Sequence, residues 1–180
     1  VMDDSWDIPK DVNDSPNLYL GCVELSSDRF PSFRGDAVER LKQLSEQIKS
    51  KGWKGVGGWI CAQKAETHAA ISEEEYWKQR IKAANAAGFD YWKVDWGKED
   101  RNGEWRRKLT AIGKRYAPHL YIEHALRNEF IEFSDVFRTY DVENITAQPI
   151  TIRRICDLLP YKTVEGAKGI INCELSLIHI

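Results

Sequence analysis

Two hydrophobic rhythms alternate along the chain. Short apolar runs bounded by polar turns read as strands, and longer segments with apolar positions every three or four residues read as amphipathic helices. Strands are expected at 1–2, 55–61, 89–95, 120–123, 136–140 and 169–172. Helices are expected at 36–51, from Ser72 to Gly88, at 104–116, as a short piece at 127–133, and at 149–159. The first long helix carries Ala37, Val38, Leu41, Leu44 and Ile48 on one face and stops at Gly52. The second opens on Ser72-Glu73-Glu74-Glu75, the pattern of a capping box. Pro9, Pro16 and Pro31 break the polar stretch before them.

Strand–helix alternation predicts an α/β fold with parallel strands and crossover helices. Two architectures fit: an open doubly wound sheet, or a (β/α)8 TIM barrel that is partial here. The open sheet usually begins with a Gly-rich phosphate turn, and the chain has neither G-x-G-x-x-G nor a Walker motif. The polar residues favour the barrel. Asp3, Asp4, Asp95, Glu123 and Asp141 all fall at the C-terminal ends of expected strands, where a barrel gathers its active-site groups.

Composition narrows the function classes. With 42% apolar and 30% charged residues in 180, the chain can build an ordinary core. A net charge of −2 argues against a dedicated nucleic-acid or anionic-membrane partner. No apolar run approaches a membrane span, and the first residues do not form a signal peptide. Cys22, Cys61, Cys156 and Cys173 form no C-x-x-C pair, leaving at most a single disulfide as an open option.

Lys93 and Asp95 share one face of their strand, because alternate residues of a strand point the same way. An inward charge pair in an apolar strand is either a structural ion pair or a carboxylate nucleophile beside an ammonium. Asp141 is a second carboxylate, which could equally cap a turn. Glu123 rivals it, whereas Asp135 lies at the wrong strand end. Two carboxyls and aromatic walls suit glycoside hydrolysis. Trp6, Trp59 and Trp96, at or past strand ends, are expected to line the pocket. Trp53, Trp77 and Trp105 are expected in the core, with Trp92 facing the helices. A Mg²⁺ site built from Asp3, Asp4, Asp95 and Glu123 is the competing class, opposed by the cation of Lys93 in their midst. His68, His119, His124 and His179 show no ligand spacing, and no cofactor is expected.

These motifs resemble the α-galactosidase/α-N-acetylgalactosaminidase clan of retaining glycoside hydrolases. Met2-Asp3-Asp4-Ser5-Trp6 is similar to the D-D-x-W that ends its second barrel strand. Asp28-Arg29-Phe30-Pro31 and Ser50-Lys51-Gly52-Trp53-Lys54-Gly55-Val56-Gly57 resemble its approach to strand three. Ala87-Gly88-Phe89-Asp90-Tyr91-Trp92-Lys93-Val94-Asp95 resembles its strand four.

The resemblance implies a partial barrel over 1–174, covering about strands two to seven. It also implies cleavage of terminal α-galactosyl-type or related residues through a covalent intermediate, with a galactoside, a β-L-arabinopyranoside or another glycan all open as substrate. Apart from the resemblance, the final Leu-Ser-Leu-Ile-His-Ile, 175–180, reads either as a natural β extension or as a non-native, adapter-derived tail, the second being the expectation. Asp95 takes the nucleophile's place and Asp141 that of the acid/base. Asp3, Asp4 and Lys93 would hold the sugar's 3-, 4- and 6-hydroxyls, and Glu123 and Arg138 its 2-hydroxyl. The implied partner is a carbohydrate and the implied location is outside the cytoplasm. Arg138 and Asp141 stand three apart where the family spaces them four, and Trp96-Gly97 replaces its Asn-Cys. A carbohydrate-binding barrel without catalysis is the alternative.

Overall fold

Five of the six expected strands centre on strands of one parallel sheet. In the computed structural model, which describes residues 1–10, 12, 18–124, 128–138, 149–150, 152–153, 156–157 and 170–172, the strands are β1 (Gly57–Ile60), β2 (Tyr91–Val94), β3 (Tyr121–His124), β4 (Val136–Arg138) and β5 (Ile170–Asn172). Their order in the sheet is their order in the chain, and every pairing is parallel. A doubly wound sheet reverses its strand order at a switch point; the described strands do not. Met2 adds a single parallel bridge to Gly58 where a first strand was expected.

Helices α1 (Ala37–Ser50), α2 (Glu73–Ala86) and α3 (Gly103–Tyr116) precede β1, β2 and β3 respectively. The full capping box belongs to α1, where Asp36 accepts from the Glu39 amide and Glu39 accepts from the Asp36 amide. Only half of the box expected on α2 forms. Ser72 accepts from the Glu75 amide, but the Glu75 carboxylate turns to Lys78 at 2.7 Å and Gln79 at 3.2 Å. Asn102 caps α3 through the Trp105 amide. Gly52 and Gly88 end their helices with positive φ. The short helix expected at 127–133 is a 3-10 segment, Asn128–Glu132. Of the helix expected at 149–159, the described residues 149–150, 152–153 and 156–157 are helical; the turn and strand end at 139–141, the remaining residues of that helix, and the tail 175–180 lie outside the described residues.

Side-chain alternation divides the sheet into two faces. Ile60, Trp92, Val94, Ile122 and His124 point to the helices and are buried. Trp77 of α2 packs edge-on against both Trp92 and Trp105 of α3, at 6.3 and 5.4 Å between ring centroids. One carboxylate oxygen, Glu73 Oε1, accepts from both the Trp77 and Trp105 indoles, so their polar edges are satisfied at the margin of an apolar cluster.

Trp53 departs from expectation. It is 70% exposed in the turn before β1, because Gly52 has already ended α1 and no described element packs over that corner. Trp77→Ala is therefore expected to destabilise the protein by about 3–5 kcal/mol, whereas Trp53→Ala stays within about 0.5 kcal/mol. Urea unfolding of both variants checks the contrast, and equal midpoints would contradict it.

Candidate functional site

The face opposite the helices carries the polar residues. The parallel register aligns Trp59 of β1, Lys93 of β2 and Glu123 of β3 as direct neighbours in one row. Adjacent strands lie about 4.8 Å apart, so three chemically different side chains stand side by side. Asp95 projects on the same face one step beyond β2, where its amide continues the ladder to the Ile60 carbonyl at 3.0 Å. The row lies at the C-terminal ends of the strands.

Each member of the row has a defined partner. The Trp59 indole donates to Asp95 Oδ2 at 3.2 Å. Lys93, whose side chain is 12% exposed, reaches Asp3 Oδ1 at 3.4 Å. Glu123 is buried and accepts a hydrogen bond from the Tyr91 hydroxyl. Tyr91 was not anticipated, although its place two residues before Lys93 puts it on the same face. Asp4 is exposed in the following turn and accepts from the Ser5 hydroxyl at 3.3 Å. Arg138 ends β4 opposite Asn172 of β5, described as a backbone position only. Asp141 lies outside the described residues.

Trp6 is not on this face. Its ring lies over Gly58 on the helix side, near Phe89, and is buried. Gly58 has no side chain, so the indole fits against the strand and donates to the Trp59 carbonyl at 2.8 Å. The pocket position expected for Trp6 is thus a core position. Asp135 behaves as its place before β4 suggests, accepting from the Ile122 amide at 3.1 Å.

A polar network behind the sheet supports the row, and no sequence motif announced it. Arg106 of α3 is fully buried. Its guanidinium donates to the Val94 carbonyl at 2.9 Å, to the Asp95 carbonyl, and to the Asp100 carbonyl at 2.9 Å. It also meets His124 Nδ1 at 3.1 Å. An arginine only donates, so Nδ1 accepts and the proton sits on Nε2. That proton goes to Thr110 Oγ1 at 2.8 Å, whose hydroxyl donates to the Arg106 carbonyl at 3.1 Å. Burial first, and the neighbouring guanidinium second, hold His124 well below its ordinary pKa, which keeps the ring neutral as the network requires.

A second unanticipated device holds the segment leading to α1. Asp7 is buried and accepts from the Val23 amide at 3.0 Å. Val23 sits at φ 54, a conformation a β-branched residue adopts at a cost of about 1–3 kcal/mol. Nearby, Gly21 has φ 78, and a Cβ there would lie 1.8 Å from the Gln63 carbonyl oxygen. The Tyr76 hydroxyl donates to the Gly21 carbonyl at 2.6 Å. The segment so held packs Leu20 and Ile8 against Trp59 and Cys61, beneath the indole that grips Asp95. The two thiols beside it, Cys22 and Cys61, are free and pushed upward by burial.

Among the described residues no helix is long and apolar enough to cross a membrane, and no group of three or more His, Cys, Asp or Glu side chains is arranged to hold a metal ion. The fold and the row together define an α/β protein with a polar, aromatic-flanked site at the C-terminal ends of parallel strands. No family model matches the chain, and no curated protein matches it.

Burial pushes the Asp7 carboxyl up to about 6, with the Val23 hydrogen bond opposing and nearby Asp4 adding to the rise. The unfolded chain ionises near pH 4 while the folded chain keeps its proton to about pH 6. Stability from this group is therefore full below pH 4, falls by about 3 kcal/mol as pH rises through that window, and is level above it. Asp7→Asn should flatten this decline. Urea unfolding free energies at pH 4 and pH 7 check it; an unchanged pH 4 to pH 7 difference in the variant would assign the decline elsewhere.

Proposed function

We propose that this protein is a retaining glycoside hydrolase acting on terminal α-galactosyl-type residues, its sheet forming part of a (β/α)8 barrel. The observation that carries the reading is the row itself. Neighbouring parallel strands present Trp59, Lys93 and Glu123 side by side with Asp95 just beyond, at the strand ends that form the active-site mouth of a barrel. The uninterrupted strand order supports the barrel.

In this reading Asp95 attacks the anomeric carbon and forms a covalent glycosyl-enzyme. The Trp59 indole donates to one of its carboxylate oxygens, which restricts the carboxylate's rotation. Lys93 and Asp3, already within 3.4 Å of each other, form a donor–acceptor pair suited to adjacent sugar hydroxyls. Asp4 extends that set. Glu123, oriented by Tyr91, accepts from the 2-hydroxyl, with Arg138 as its companion. Asp141 protonates the leaving oxygen and then deprotonates the incoming water.

The test is turnover of aryl α-galactosides and natural α-galactosides by the complete protein. Asp95→Ala should lower turnover on the order of 10⁴-fold or more, and azide should restore it with inverted anomeric configuration. Asp141→Ala should spare aryl substrates and slow natural glycosides about 10²–10⁴-fold, with azide giving a retained product. Wild-type turnover in Asp95→Ala would sink the nucleophile assignment. The leaving-group dependence appearing in Glu123→Ala instead would move the acid/base to Glu123. Sugar binding without turnover by the wild type would make the barrel a carbohydrate-binding one.

A further inference from the structure

Two of the seven tryptophans are exposed. Trp53 lies at the N-terminal end of the strands, 70% exposed; Trp96 directly follows Asp95 at the opposite end and is 44% exposed. The other five are each buried. Exposure alone needs no occupant, as Trp53 shows; what sets Trp96 apart is that its open indole lies beside the polar row, against the ring that holds Asp95.

The placement of Trp96 is built rather than incidental. Its carbonyl accepts from the Ala62 amide at 2.7 Å and from the Cys61 thiol at 3.2 Å. The chain after it is tied back by the Glu99 amide to the Ala62 carbonyl at 2.8 Å and by the Lys98 amide to Gln63 Oε1 at 3.3 Å. Gly97, at φ 148, lets the loop press so close that a Cβ would meet the Ala62 backbone at 2.6 to 2.8 Å. From behind, Arg106 holds the carbonyls of Asp95 and Asp100 at both ends of the loop. The ring then leans on Trp59 at 5.4 Å and 56°, the same indole that donates to Asp95. One aromatic thus contacts the carboxylate, and the next offers its open surface immediately outside it.

We propose that Trp96 is a specificity-determining platform for the leaving group, and that the site takes glycosides whose aglycone presents a flat ring face, a second pyranose above all. The inference rests on the glycosidase reading and adds to it the aglycone side of the substrate. A pyranose has an apolar C–H face that an indole can cover, while its hydroxyls stay in water at the rim. Any loss that comes through Trp59 and Asp95 is common to all substrates, so the difference between substrates reports what the departing group offers the ring.

The experiment compares two substrates in the complete protein: α-galactosyl fluoride, whose leaving group has no ring, and an α-galactosyl-(1→6)-glucose disaccharide. Trp96→Ala should lower kcat/KM for the disaccharide about tenfold more than for the fluoride. Trp96→Phe should recover most of the loss. Trp96→Leu keeps apolar bulk without a ring face, so it should resemble Ala; it also serves if Ala does not fold. Equal losses on both substrates would make Trp96 a structural residue and overturn the platform, as would no loss on either. Turnover of neither substrate by the wild type would overturn the glycosidase reading and the platform with it.

Discussion

The Arg106 guanidinium is the point on which the C-terminal end of β2 depends. A strand that ends where the sheet gives way to a loop leaves its last carbonyls in need of partners, and water cannot satisfy them inside the core. Arg106 fills that gap from α3. It binds Val94 and Asp95 at the strand end and Asp100 one loop further on. Burying a guanidinium is costly unless its donors are met by acceptors. Here three carbonyls and the neutral His124 ring meet them, with Phe130 lying 5.1 Å beneath the guanidinium carbon. The His124–Thr110 contact closes the ring of hydrogen bonds, so tautomer, rotamer and loop conformation specify one another.

This arrangement separates two jobs by the two faces of one sheet. The helix side supplies stability through interlocked indoles and a satisfied buried network. The other side gathers Trp59, Lys93, Glu123 and Asp95, whose charged and polar atoms would be destabilising in isolation. They persist because each is paired across strands: indole with carboxylate, ammonium with Asp3, phenol with Glu123. The parallel register makes such pairing possible, since it places residues of like depth on neighbouring strands side by side. A shift by one residue would turn every one of them into the helix layer.

Strain is placed where it serves the same site. Val23 is held in the left-handed region by the Asp7 carboxylate, and Gly21 and Gly97 sit where a side chain would strike backbone. All three lie in connections that pack around Trp59 and Trp96 rather than in the helices. The ordinary elements carry the stability that offsets them, consistent with strained conformations gathering near functional loops.

Much of this was legible in the chain. The period of two around 89–95 and the period near 3.6 in 36–51, 73–86 and 104–116 follow from local geometry, and the elements stand where those periods place them. The same alternation put Lys93 and Asp95 on one face and Trp92 and His124 on the other. What sequence did not yield is whatever depends on partners distant in the chain. Trp6 resembled a pocket residue by its place after a strand end, yet the bare surface of Gly58 drew it into the helix layer. Trp53 resembled a core residue by its type and its place beside a helix, yet none of the described elements folds over it. Arg106, Thr110 and Asp7 carry no motif, since a buried arginine or aspartate differs from a surface one only in what surrounds it. Local periodicity determines which residues form an element and which share a face. Only the tertiary packing decides which polar groups lose water and must find each other, and that loss of water is what made Arg106, His124 and Asp7 matter.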